Sequence, residues 1–160
     1  MLRLGNQTRP CSKRGVTLVD VTLTVAILGI LASVAVPKFT DSLDRCRAQT
    51  AAAQIQADLT LARQLAMAKS GTLNVQFTSA SNHYTLEGVD HPQRVGQVYT
   101  VELDDSPYRV NLVSADLGGD ERVVFNAFGL PDSGGTITVQ SGRWNQTVTI
   151  DPDTGKASLP

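Results

Sequence analysis

The sequence predicts an α+β fold in which one long N-terminal helix precedes an antiparallel β-sheet domain. Three observations predict it. Val16 to Val36 is an apolar run of 21 residues whose only charge is Asp20. Past Pro37 an alanine-rich segment keeps its apolar residues on one side of a helix as far as Ser70-Gly71. Beyond Gly71 come short Val- and Thr-rich pieces separated by turn residues. The 160 residues have room for one domain plus an anchor and little more.

Residues 1–15 read as a basic leader, holding Arg3, Arg9, Lys13 and Arg14 and no acid. With four of the fourteen basic residues there, ten remain against fifteen acids, so residues 16–160 carry about −5. A basic leader on an acidic body points to targeting, and away from nucleic-acid binding. Cys11 lies in the leader, so a chain without it keeps only Cys46 and forms no internal disulfide. On a helical reading Cys46 shares a stripe with Phe39 and Leu43, which suits a small buried hydrophobe better than a reactive thiol.

The apolar run, residues 16–36, contains 15 apolar residues and as a helix spans about 31 Å, enough for a bilayer core. Positive charges before it favour a cytoplasmic N-terminus. Pro37 is expected to bend the helix as it continues. The amphipathic part, residues 37–70, carries Phe39, Leu43, Cys46, Ala48, Ala52, Ile55, Leu59, Ala62 and Ala66 on one side. Asp41, Asp44, Arg45, Arg47, Asp58, Arg63 and Lys69 are placed mostly on the others. The two parts together make a helix of about 80 Å, whose first half must be buried in lipid or in an assembly.

Residues 71–160 form the β-rich domain. Strands are expected at 73–78, 84–87, 98–103, 108–113, 123–126, 136–140, 146–150 and 156–159, building a sheet that the amphipathic helix covers. Asp151-Pro152-Asp153-Thr154-Gly155 supplies the last turn.

Three processing routes are open to the N-terminal segment. One is a secretory signal cut after Ser33-Val34-Ala35. Another is a plain anchor in which Asp20 has no task. The third uses more of the residues. Lys13-Arg14-Gly15-Val16-Thr17-Leu18-Val19-Asp20 resembles the type IV prepilin processing motif. The resemblance implies that a dedicated membrane peptidase cuts after Gly15 and that the new N-terminus, Val16, is methylated. It places Asp20 at the family's acidic position and Pro37 at its helix-bending proline. Val16 stands where the family usually has phenylalanine, and Asp20 where it usually has glutamate. Residues 123–159 in turn resemble the carboxyl end of the GspH/FimT family of minor pseudopilins and minor pilins, with Phe125 to Gly129 leading through a loop to three closing strands.

The resemblance implies a pilin-like fold and a structural subunit of a type II secretion pseudopilus. Its partners would be prepilin peptidase, other pseudopilins or pilins in a filament, and inner-membrane lipid, with the C-terminal domain in the periplasm. No cofactor, metal or nucleic acid is implied. A DNA-uptake minor pilin is the alternative, but it needs clustered positive charge, and after Arg122 only Arg143 and Lys156 remain. A hydrolase lacks a nucleophile–base pair in the sequence. His83 and His91 read as surface or turn residues. Asp151 and Asp153 lack the downstream bidentate acid of a calcium loop. Trp144 beside Arg143 reads as packing or as a contact point, and Asn145-Gln146-Thr147 as a sequon without consequence in a bacterial chain.

Overall fold

The structure is a computed structural model that describes residues 15–91 and 94–160, with the side chains of residues 34–37 and 95 outside the description. The basic leader, apart from Gly15, lies outside the described residues. Helix α1 runs Leu18–Ala68. It belongs to two units, one ending at Lys38 and the other running from Phe39 to Pro160. Thr17 starts it, since its Oγ1 accepts the Asp20 N–H at 3.2 Å. At the far end the Gly71 N–H reaches Ala66 O at 3.1 Å and the Ser70 N–H reaches Met67 O at 3.2 Å, while Ser70 takes a left-handed φ of 49°. That pattern satisfies the last carbonyls of the helix.

In the first unit every described side chain of α1 is exposed through Ser33, including Leu18, Leu23, Ile27, Leu28, Ile30 and Leu31. The apolar segment of this helix is long enough to cross a membrane by length and composition. Position 37 is helical, whereas the Pro37 side chain is outside the description.

The second unit holds eight strands: β1 Leu73–Thr78, β2 His83–His91, β3 Arg94–Glu102, β4 Asn111–Asp116, β5 Arg122–Phe125, β6 Gly135–Ser141, β7 Trp144–Ile150 and β8 Ala157–Ser158. They form two four-stranded sheets, ordered β3-β2-β1-β5 and β4-β6-β7-β8, where the sequence suggested one. All pairings are antiparallel. Alternation explains the inward faces: Leu73, Val75 and Phe77 of β1 are buried between half-buried neighbours, as are Ile137 and Val139 of β6. Ala48, Ala51, Ala52, Ile55, Leu59, Ala62 and Ala66 of α1 are buried. All of these except Ala48 pack with both sheets in one core. The many alanines let the helix backbone lie close to the strands, which a leucine stripe would not allow.

Two expectations about the helix need correction. Phe39, Leu43 and Cys46 are exposed, so Cys46 is not a packed hydrophobe in the single chain. Beside that stretch stand side chains of the β6–β7 turn and the start of β7. Ser141 donates to Asp44 at 3.2 Å, and Arg143 pairs with Asp41. Asp58, expected on a polar face, is buried at 5% exposure. It sits three residues after Ile55 and four before Ala62, both in the core, so helical geometry sends it inward.

Candidate functional site

Gly15 and Val16 precede α1 and are exposed, and Asp20 stands on its first turn. The Asp20 carboxylate has no hydrogen-bond or ion-pair partner among the described residues, although its backbone is held by the Thr17 cap. It lies at the third helical position, where the free N–H groups of the helix favour a negative charge. The segment therefore presents an apolar rod with one unsatisfied acid on its first turn. That set can join a neighbour that brings a cation.

The second polar constellation lies inside the core. Asp58 accepts the Tyr84 hydroxyl at 2.5 Å, the Tyr99 hydroxyl at 3.2 Å and the Gln54 amide at 3.1 Å. These bonds tie the helix to β2 and β3. Burial, then the Asp58 charge, holds the Tyr84 hydroxyl well above its ordinary pKa. The same causes push Tyr99 up to about 12. Both groups keep their protons to higher pH in the folded chain than in the unfolded one. The stability they confer is complete below about pH 10 and is lost as pH rises through the folded values. The detergent-extracted chain is expected to keep its unfolding temperature up to about pH 10 and to lose it steeply toward pH 12. Tyrosinate absorbance should rise together with that loss, and Tyr84→Phe should flatten the slope.

A third arrangement gives the Phe125-to-Gly129 motif its physical meaning. Gly129 adopts φ 75°, and a Cβ there would come within 2.9 Å of Met67 Sδ on α1. Its carbonyl accepts Arg63 Nε at 3.1 Å, and a Cβ on Gly155 would fall 2.3 Å from that same oxygen. The turn after β5, the end of α1 and the turn after β7 thus meet at two glycines.

Of the other sequence candidates, Asp151 spends its Oδ1 on the N–H groups of Asp153 and Thr154, at 2.8 and 3.2 Å. Those bonds hold its carboxyl below the usual range and shape a turn. His83 bonds Ser81 O, and His91 tilts against the Tyr99 ring at 5.6 Å. Both lie on strand β2 rather than in a turn. Trp144 lies against the guanidinium groups of Arg45 and Arg143, at 5.3 and 5.5 Å, and its indole N–H is buried without a partner among the described residues. Among the described residues, Asp58 is the site that sequence reasoning missed. Its spacing from Ile55 and Ala62 was the signal.

Residues 51–154 match the family model described as type II transport protein GspH. Two crystal structures of the type IV minor pilin FimU from Pseudomonas aeruginosa (strain PAO1) share the architecture. One aligns with a TM-score of 0.52 at 16% identity over 70% of this chain and 91% of that one. The other gives 0.51 at 18% identity, over 72% and 90%. At such identities the likeness is one of fold. No curated protein matches the sequence.

Proposed function

Because the chain belongs to the GspH family, which it matches over residues 51–154, we propose that it is a minor pseudopilin: a structural subunit of a type II secretion pseudopilus. In this reading prepilin peptidase removes residues 1–15, and Val16 becomes the mature, methylated N-terminus. The helix over residues 16–36 then waits in the inner membrane with the domain on the periplasmic side. The subunit catalyses nothing. Its mechanism is a change of solvent, because lipid covers the apolar helix before assembly and neighbouring helices cover it afterwards.

The observation that carries the reading is the exposed, unpartnered Asp20 on an otherwise apolar helix. An acid costs about 2.5–3.5 kcal/mol at mid-bilayer on insertion scales and less near the interface, where the first turn of the helix places Asp20, so an unpaired carboxylate there contributes nothing to anchoring. Cleavage after Gly15 would create the missing cation, since a free α-amino group with pKa near 7.7–8.0 is mostly charged at neutral pH. Asp20 of one subunit would then capture the Val16 ammonium of the next. Pro37 would let the membrane half of the helix adjust against its neighbours.

The intact mass of the membrane-extracted chain tests the processing. We expect a chain beginning at Val16, unmodified or heavier by one methyl group. A chain beginning at Val36 would mean a cleaved secretory signal, and one keeping Met1 a plain anchor; either would end the proposal.

The FimU likeness supports a second reading, a minor pilin of a type IV pilus or DNA-uptake system, because the two machines share this fold. Charge weighs against the DNA branch. Of the two arginines against Trp144, Arg143 is paired with Asp41, and nearby Arg47 is paired with Asp44. Residues 16–160 remain acidic overall.

A further inference from the structure

Trp144, the chain's only tryptophan, opens β7 half-buried, with the guanidinium groups of Arg45 and Arg143 against its ring at 5.3 and 5.5 Å. Each cation is drawn to the ring, but the two repel each other. Their charges are unevenly met. Arg143 pairs with Asp41 yet stays 69% exposed, and a guanidinium has five donors, so several remain free. Arg45 is exposed and has no acidic partner among the described residues. The corner can therefore take an anion from outside.

Its place in the chain says which anion. Asp41, the partner of Arg143, is the fifth residue past Val36, where the apolar run ends, and Arg45 is the ninth. All of them lie within helix α1, in which five residues advance about 7.5 Å and nine about 13.5 Å. The headgroup layer of a bilayer is about 5–7.5 Å deep on each side. Side chains on a helix lean toward its N-terminus, so the long Arg45 side chain reaches back toward that layer.

Charge points the same way. Lys38, Arg45, Arg47 and Arg143 stand against Asp41 and Asp44, which is four of the ten basic residues in 16–160 and two of the fifteen acids. The remainder is six basic residues against thirteen acids, so positive charge is concentrated next to the apolar run. Phe39, the third residue past Val36, is 66% exposed and brings an aromatic ring to the same boundary. Aromatic rings beside basic side chains suit a surface that is apolar below and anionic above.

We propose that Arg45, Arg143 and Trp144 form a corner that rests on the bilayer surface and binds the phosphate of anionic phospholipid headgroups. The inference rests on the membrane-anchored reading above. It adds a lipid contact made by the folded domain, which the subunit gives up when it leaves lipid for an assembly.

The test uses the full-length chain in nanodiscs of phosphatidylcholine, alone or mixed with phosphatidylglycerol, in which some headgroups carry a nitroxide quencher. With one tryptophan in the chain, quenching reports this corner alone. Quenching in the anionic discs should exceed that in neutral discs by about threefold or more, and about 0.5 M salt should remove the excess. Arg45→Gln breaks neither ion pair and should weaken docking by about fivefold, while Arg45→Lys keeps it. Equal quenching in the two lipids, or no effect of Arg45→Gln, would overturn the proposal. So would an unquenched Trp144 in discs that hold the chain, leaving the anchored reading intact. Protection of Trp144 by a short DNA duplex at about 150 mM salt would make the corner a nucleic-acid contact instead, and overturn it too. If the chain does not enter the discs, the anchored reading falls, and this inference with it.

Discussion

Asp20→Ala is expected to enter the membrane as well as the wild-type chain, or better, and to fall at least tenfold in recovery from the assembled fraction. The two halves of this result have one cause. In lipid the carboxylate is a burden, because no partner for it exists within the described chain. In an assembly it meets an ammonium, and breaking a desolvated pair of that kind costs about 3–5 kcal/mol, enough for a loss of tenfold or far more. Asp20 also stands at the positive end of α1, so a weakened helix start is the competing explanation. Two further variants separate the explanations. Asp20→Asn keeps the size and the hydrogen-bonding ability at the helix start but removes the charge, and should fail as alanine does. Asp20→Glu keeps the charge with one more methylene and should assemble. Recovery is measured by co-purification with the other subunits after mild extraction. Equal recovery of Asp20→Ala and wild type would remove the acid from the mechanism.

Much of this fold was legible because most elements obey one simple period each. The strand at 73–78 has its observed bounds, since its inward residues alternate without a break. The arms of β2 and β3 run longer than expected, to His91 and from Arg94. Their extra length mixes Val89 and Val95 with glycine and polar residues and is held by backbone pairing, Asp90 with Val98 and His91 with Arg94, past a register shift after Leu86. Apolar alternation cannot announce such a stretch. Strand β4 begins at Asn111 rather than at 108, because Arg109 takes a left-handed φ of 52° and bonds back to Asp105 O. Its far end, Ser114 to Asp116, is carried by pairing with β6 across a second shift. The split into two sheets follows from strand pairing at long sequence separation, which local patterns do not encode.

At the candidate site the division is similar. The acid at 20 and the glycine at 15 stand out as breaks in local texture, an acid in an apolar run and a glycine after a basic pair. Cys46 was misplaced by the same reasoning that placed Ile55 and Leu59 correctly. A stripe records which side of a helix is apolar, not how far the covering strands extend. Phe39, Leu43 and Cys46 continue the stripe beyond the core, so their burial, if it comes, must come from another molecule. Asp58 was misplaced for the opposite reason, since its polarity outweighed its position in the reading.

Asp58 is also where a single substitution should do most damage to the domain. Asp58→Ala is expected to destabilise the chain by about 3–5 kcal/mol. It opens a cavity and strips three donors, the Tyr84 hydroxyl, the Tyr99 hydroxyl and the Gln54 amide, of their acceptor. The Tyr84 hydroxyl belongs to a fully buried side chain, so water cannot replace the lost partner cheaply. Tyr84→Phe alone should cost less, about 1.5–3 kcal/mol, because Asp58 keeps Tyr99 and Gln54. The decisive comparison is the double variant, Asp58→Ala with Tyr84→Phe. Removing both ends of the shortest bond leaves no orphaned hydroxyl at position 84, so the double loss should fall below the sum of the singles by about 1 kcal/mol or more. Thermal or denaturant unfolding of the detergent-extracted chain supplies all four corners of the cycle. Additive losses would show that Asp58 acts by filling space, and that helix and sheet are held together by apolar packing alone.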